Sequence, residues 1–407
     1  MNGAALDRVF RTASGRIIAA LATRFRDLTL AEDAFSESCL RAVRTWPERG
    51  VPANPPAWLY RASERVAIDM LRRRRVREQY VPTDVAVELS AEDAMMDDAC
   101  VIPDERLRLI FICCHPAVAP DARAALTLRL VCGLTITEIA RAFLVQEATL
   151  AQRLVRAKHK IAEAGVPFEL PSRESWPERM EAVLSTLEIA YAKAHEDASG
   201  VSSHAGFAVE MLHLSKLLTE LVPQAGEAFA LAALIRYAEA RRPARVDGAG
   251  VMVPLAEQDP ELWRRDLITE AEALLIDATR LAPSASRTLQ AQLQRIWCMR
   301  RSLNEPAPWP RILALYDRLL ELRDDPIVRL NRAVAVAEVE DAATALCEVE
   351  ALASQSLENF LPYHAVRADL FARTGRVDAA QVAYRKALAL NPSVAEARWL
   401  ERKMTAL

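Results

Sequence analysis

The sequence LTITEIARAFLVQEATLAQRLVRAKHK, residues 134–160, has the pattern of two short helices joined by a turn. Thr135 followed by Glu138 forms a capping box, which begins a helix by satisfying its free amide groups. Apolar residues then recur at helical spacing on both sides of the turn: Ile136, Ile139, Ala140 and Phe143, then Leu150, Leu154, Ala157 and Ile161. The two stripes predict a helix-turn-helix with one shared core.

The face of the second helix opposite its apolar stripe is suited to DNA. A rotation of about 100° per residue turns Gln152 and Arg156 away from the core. Thr149 and Arg153 lie beside them. Gln and Arg are the side chains best suited to bidentate hydrogen bonds with base edges in the major groove. An ordinary helical hairpin with a solvated basic face is the alternative.

A second basic helix is predicted at residues 56–77, where Pro55-Pro56 suits a first turn that does not need the proline N–H. A proline-rich loop precedes it at residues 46–55. Arginines extend along one side of the helix and crowd its end: Arg61, Arg65, Arg72, Arg73, Arg74, Arg75 and Arg77. Arginines at a helix C-terminus are also favoured by the macrodipole. Their number exceeds what capping requires and favours a phosphate-facing surface.

The charge of the chain is divided among four blocks, although the whole chain carries a net charge of only −3. The net charges are +6 for residues 1–79, −8 for 80–105, +6 for 106–160 and −7 for 161–407. Phosphate contacts depend on local charge, so two basic blocks divided by an acidic one suit a protein that binds DNA twice.

The seven cysteines and six histidines show no metal-type spacing. Cys113, Cys114 and His115 are adjacent, and neighbours on a helix point about 100° apart, so they converge poorly on one ion. We expect buried thiols, no metal and no cofactor. No nucleophile–base constellation indicates an enzyme. An odd cysteine count without a signal peptide fits the cytoplasm, and no apolar run approaches the roughly 20 residues that span a membrane.

The C-terminal part reads as helical repeats. Residues 361–394 show the alternation of small and large residues typical of a tetratricopeptide-like helix pair: Ala368, Phe371, Ala380, Tyr384, Ala387 and Pro392. Residues 340–343 resemble residues 377–380, one repeat earlier. Stacked repeats leave a concave surface, which is a candidate site for a protein or small-molecule signal or for packing against the rest of the chain.

Residues 6–79 and 104–162 resemble regions 2 and 4 of bacterial sigma factors of the extracytoplasmic-function (ECF) type. Three ordered stretches carry the resemblance: AEDAFSESCLRA at 31–42, WLYR with AIDMLRR at 58–61 and 67–73, and residues 125–161. The chain also resembles a subgroup with a long helical C-terminal extension, through LIFICCHP at 109–116, VPLAEQD at 253–259 and LNRAVA at 330–335.

The resemblance implies a role for each set of residues. For the −35 duplex it implies Thr149, Gln152, Arg153 and Arg156, with Lys158 and Lys160 on phosphates. For the −10 element it implies Asn54, Arg61, Arg65, Arg72 and Arg73, where an unstacked base needs a cationic groove. For core RNA polymerase it implies Asp33, Glu37 and Arg41, which share one helix face. Salt bridging along a solvated face explains that last spacing equally well.

Two positions depart from the family pattern. Glu64-Arg65 replaces the usual Arg-Asn pair, which puts a carboxylate near phosphates and predicts an unusual −10 sequence. Gln146 replaces the usual serine cap of the recognition helix, and glutamine is a poorer cap.

The sequence therefore predicts an all-α protein. Residues 1–79 form sigma region 2, residues 80–103 an acidic linker, residues 104–165 region 4 with its helix-turn-helix, and residues 172–407 a helical extension that modulates activity. The expected partners are core RNA polymerase and promoter DNA, without a membrane. Two other classes stay open: a transcription activator that never binds polymerase, and an interaction scaffold whose repeats dominate.

Overall fold

The computed structural model describes residues 3–78, 105–143, 145–169, 173–196, 205–352 and 357–407. Across these ranges the regular structure is helical, and the one strand-like pairing is an isolated bridge between Val246 and Met252. The all-α prediction is confirmed. The predicted acidic linker, residues 80–103, lies outside the described ranges. The chain divides into two compact units, residues 1–193 and 194–407.

The first unit is built from helices on both sides of the linker. They are α1 (Gly3–Phe25), α2 (Leu28–Arg49), α3 (Pro55–Glu78), α4 (Arg106–Cys113), α5 (Pro120–Leu130), α6 (Ile136–Ala142), α7 (Glu147–Glu163) and α8 (Trp176–Glu196). Their apolar stripes turn inward, so Leu21, Leu59 and Leu126 are fully buried. The extension, which the sequence places from residue 172, thus begins with a helix of the first unit: Trp176 stacks on Phe111 at 5.4 Å, and Arg179 donates to the Phe111 carbonyl at 3.0 Å.

The predicted loop at residues 46–55 is shorter than expected, and the prediction is wrong for residues 46–49, which belong to α2, and for Pro55, which begins α3. Helix α2 continues through Pro47 and ends at Arg49, and the φ of 84° at its C-cap Gly50 lies in the left-handed region that glycine adopts without strain. Proline loses only one backbone bond in this last turn. Trp46 stacks edge-on against Trp58 at 5.4 Å, which fixes the start of α3 against the end of α2.

The helices before residue 79 and those after residue 104 dock against each other within the first unit. Helix α1 packs along α4 and α5, and Gly15 of α1 lies against the end of α5. A Cβ atom at Gly15 would collide with the backbone carbonyl of Val131, at the end of α5. Glycine is therefore required there by packing rather than by backbone conformation.

The second unit is built from helices that pack mainly against their neighbours in sequence. They are α9 (Ala205–Leu221), α10 (Gly226–Ala240), α11 (Arg265–Leu281), α12 (Ser286–Cys298), α13 (Trp309–Leu322), α14 (Pro326–Val339), α15 (Ala342–Ala351), α16 (Leu361–Arg373), α17 (Val377–Leu388) and α18 (Val394–Thr405). In the α16–α17 pair the alternation positions Ala368, Phe371, Ala380, Tyr384 and Ala387 are all buried. No described helix is both long and apolar enough to cross a membrane.

The connection between α10 and α11 crosses to the far end of the second unit. We call residues 246–258 the strap. The Met252 amide donates to the Ala395 carbonyl at 3.1 Å, and Arg398 donates to the Ala249 carbonyl at 3.0 Å. The strap thereby joins the early helices of the unit to α18, the last one.

Candidate nucleic-acid interface

The helix-turn-helix forms as its sequence predicts. The Thr135 amide donates to Glu138 Oε2 at 2.7 Å, and the Glu138 amide donates to Thr135 Oγ1 at 3.2 Å. This reciprocal capping box begins α6 at Ile136. Helix α7 then begins at Glu147, and its N-cap Gln146 makes no side-chain capping bond, as expected for glutamine.

Helix α7 has one buried face and one face open to solvent. The stripe Leu150, Leu154, Ala157 and Ile161 is buried. Thr149, Gln152 and Arg156 are exposed, and Arg156 Nε donates to the Gln152 carbonyl at 3.4 Å. Their side chains are therefore accessible to a ligand such as DNA.

Three other basic residues of α7 are engaged by carboxylates of the same unit. Arg153 lies 3.9 Å from Asp121, and Lys160 lies 3.1 Å from Glu163. Both pairs are partly open to water, so each is weak and readily exchanged for a phosphate. Lys158 is largely buried against Glu32.

The basic surface of α3 starts at a capped N-terminus. Asn54 Oδ1 accepts from the Ala57 amide at 3.2 Å, so this residue caps α3. Sequence reasoning assigned Asn54 to −10 recognition and missed the capping role, although a polar residue before Pro-Pro is its usual signal. Arg65, Arg72 and Arg73 are exposed on α3.

Glu64, which replaces a basic residue of the family pattern, is neutralised within region 2. Its side chain is mostly buried and accepts hydrogen bonds from Arg24 of α1 and from Arg61 at 3.5 Å. The carboxylate is thus paired rather than presented to phosphates. The partner Arg24, 40 residues away, was not identified from the sequence.

The predicted polymerase-binding face of α2 is solvent-accessible. Asp33 is exposed, and Glu37 accepts a hydrogen bond from Arg41 Nε at 3.2 Å. Leu40 lies on the same face, seven residues after Asp33, and is 53% exposed. Leu40 was not among the residues predicted for this face, although a spacing of seven residues from Asp33 places it there.

Glu32 of α2 joins the two DNA-binding modules. Its Oε1 accepts from Arg129 at 2.7 Å and its Oε2 from Lys158 at 2.9 Å. Burial tends to raise the pKa of Glu32, but the charges of Lys158 and Arg129 and their hydrogen bonds outweigh it and lower that pKa. Burial also raises the pKa of the neighbouring Asp33, although Lys158 opposes this.

Three stretches of the chain match known families. Residues 9–77 match sigma-70 region 2, and residues 108–161 match sigma-70 region 4. Residues 179–279 match a family of unknown function (DUF6596). Uncharacterized protein R00370 of Rhizobium meliloti (strain 1021) is similar over 403 residues at 35% identity, across 98% of this chain and 95% of the relative.

Regions 2 and 4 together define a class, the sigma factors, which are non-catalytic subunits that bind core RNA polymerase and promoter DNA to initiate transcription. The chain belongs to the ECF type of sigma factor, in the group with a long C-terminal extension.

Proposed function

We propose that α7 reads the −35 element, that α3 and the loop before it hold the −10 element, and that one face of α2 binds core polymerase. The observation that carries this proposal is the separation of faces on α7. Its apolar stripe is buried, whereas Gln152 and Arg156 project into solvent. Helices of this geometry place such side chains against base edges in the major groove.

The arginines that we assign to the −10 element lie in both halves of α3. Arg61 and Arg65 lie on the first half of α3, and Arg72 and Arg73 crowd its end. Exposed guanidinium groups attract the phosphates of a separated strand and stack on its bases. Because Glu64 is already paired with Arg24 and Arg61, it adds little repulsion to this surface.

The C-terminal unit modulates this activity in our proposal. It contributes more than half of the described residues, and it contains the strap and several buried polar side chains. A domain that only masks the DNA-binding surfaces would need neither feature. A signal that binds the second unit changes how the first unit engages polymerase. We place the protein in the cytoplasm, where core polymerase and promoter DNA are found.

Footprinting of promoter DNA with and without core polymerase tests the assignment. A sigma factor protects both elements only with polymerase, whereas an activator protects its site alone. A scaffold with a vestigial DNA-binding part gives no footprint in either case.

Removal of the second unit tests the modulation. Because α8 packs on Phe111 through Trp176, the fragment should end after Glu196 rather than before Trp176. We expect reduced transcription from this fragment, since the ordered helices exceed what a mask requires. Full activity of the fragment would exclude a regulatory role.

A further inference from the structure

A cavity of about 560 Å³ lies between the strap and the helices it crosses. Its walls come from the end of α10, the strap, α14, α16 and the start of α18. Two of the three segments that resemble the subgroup meet here, since Val253–Leu255 and Gln258 of one and Asn331 of the other line the same space. Ligand cavities commonly have volumes of about 300–1,000 Å³.

Arg241 lines this cavity and carries a buried charge that no carboxylate balances. The side chain is 8% exposed, and it donates to Gln294 Oε1 at 2.5 Å and to Cys298 Sγ at 3.4 Å. Burial raises the pKa of Cys298, although Arg241 and Arg265 oppose this, so the thiol stays neutral. No carboxylate of the described ranges lies within ion-pair distance of Arg241.

Two other buried arginines of the second unit are paired with carboxylates, and a third, Arg300, donates to backbone carbonyls although its Nε is buried without a hydrogen-bond partner among the described residues. Arg236 pairs with Glu270 at 2.8 Å, and Arg287 pairs with Glu227 at 2.8 Å. Arg300 donates to three backbone carbonyls, those of Ala256, Leu303 and Glu305. Arg241 has neither kind of partner, and buried charges are costly unless they are paired.

Gln258 supplies a buried hydrogen-bond acceptor without a donor in the same cavity. It is 5% exposed, and its Nε2 donates to the Val253 carbonyl at 3.1 Å, which fixes the orientation of the amide. Its Oε1 is buried without a hydrogen-bond partner among the described residues. An unsatisfied buried acceptor costs free energy until a donor reaches it.

We propose that this cavity binds a small carboxylate that carries a hydroxyl or amino group beside its carboxyl and a short apolar chain. The carboxylate pairs with Arg241, and the neighbouring donor satisfies Gln258 Oε1. The apolar chain contacts Leu255, Val366 and Ala395, which also line the cavity. Arg245 and Glu396 are the other charged residues of the wall, and Glu396 is held by the Ser393 amide.

A ligand in this position would join the strap to α10, α16 and α18. A ligand that binds the native state but not the unfolded state stabilises the native state by mass action. The interpretation of the ligand as a signal rests on the proposed function, whereas binding itself does not, and it is measured without polymerase or DNA.

Calorimetric titration of the full-length protein tests the proposal. The probes are 2-hydroxyisocaproate, L-leucine, isocaproate, which lacks the donor, and the neutral isocaproamide. We expect one of the first two to bind at least about tenfold more tightly than isocaproate, and the amide not to bind. Which of the two binds distinguishes a hydroxy acid from an amino acid. Absence of binding by both at about 10 mM would overturn the proposal.

Two variants locate the site. Arg241→Gln should remove binding and raise the melting temperature of the ligand-free protein, because it removes an uncompensated buried charge. The matched control Arg264→Gln changes an exposed arginine outside the cavity and should bind the probes normally. Unchanged binding by Arg241→Gln would contradict the proposal. If that variant does not fold, Gln258→Leu decides, since it should bind 2-hydroxyisocaproate or L-leucine no better than isocaproate, and retained discrimination would contradict the site.

Discussion

Glu32 Oε2 of the region 2 helix α2 lies 2.9 Å from Lys158 Nζ of the recognition helix α7, across 126 residues of chain. The same carboxylate binds Arg129 at 2.7 Å. Lys158 was predicted to contact DNA phosphate, and in this arrangement its ammonium group is already neutralised. The pair must therefore open before Lys158 can bind a phosphate.

Glu32→Gln should weaken the docking of the two modules and release Lys158. Loss of the charge of Glu32 leaves Arg129 and Lys158 without their ionic partner and is expected to cost about 1–3 kcal/mol of unfolding free energy. Sequence-independent DNA binding should become steeper in salt by about one unit, as Lys158 gains a phosphate. Chemical denaturation and salt-dependent binding measure the two effects. An unchanged salt slope would show that Lys158 does not contact DNA.

The same contact should be sensitive to acid. The native pKa of Glu32 is below its usual value of 4.5, so its stabilisation is complete above that pH and is lost as pH falls through the lowered native pKa. The difference in unfolding free energy between wild type and Glu32→Gln should therefore shrink below about pH 4.5. A difference that stays constant from neutral pH into that range would refute the assignment.

Gly15→Ala should also disturb the docking, although alanine favours the helix itself. The new methyl group would collide with the Val131 carbonyl, which belongs to backbone and cannot move aside cheaply. We expect a loss of about 1–3 kcal/mol in unfolding free energy. Hydrogen exchange should increase in α5 and at the adjoining face of α1. Protection equal to the wild type would show that the two helices are not in close contact in solution.

Arg156→Ala and Gln152→Ala should have different effects on promoter binding. Loss of the arginine should lower the salt slope by about one, whereas loss of the glutamine should change the preference at one base pair by about 1–3 kcal/mol. Arg318→Ala removes the same charge from an exposed position on α13 and serves as the control. The holoenzyme bound to variant promoters gives both quantities. If all three variants had the same salt slope and the same base-pair preference, α7 would not be the helix that recognises DNA.

The proposed polymerase-binding face of α2 can be tested by changing its exposed leucine as well as its charged residues. Asp33→Lys combined with Glu37→Lys should abolish copurification with core polymerase, and Leu40→Arg should reduce it at least about tenfold. Leu322→Arg alters a leucine of α13 with similar exposure and should not affect it. Circular dichroism confirms folding. Normal copurification of both α2 variants would place the contact elsewhere.

Local features of the fold and the site followed from the sequence because their causes are local. The Thr135–Glu138 capping box spans three residues, and the stripe from Leu150 to Ile161 repeats within one helix. The loop before α3 was predicted too long, since Pro47 suggested a break where the last turn of α2 tolerates it.

Long-range partners did not follow, because charge and spacing do not say which carboxylate meets which cation. Glu32 meets Lys158 across 126 residues, and Arg398 meets the strap across 149. Arg241 carries a buried charge without a carboxylate partner only because several helices bury it together, so no single segment of sequence indicates this.

Transcription of genomic DNA from the source organism by core polymerase, with and without this protein, tests the central claim most directly. Sequencing of the RNA 5′ ends should reveal start sites that require the protein and that share paired upstream elements. Those sites should disappear with Asp33→Lys/Glu37→Lys and shift in sequence preference with Gln152→Ala. Absence of protein-dependent start sites, or their persistence in the polymerase-face variant, would contradict the account.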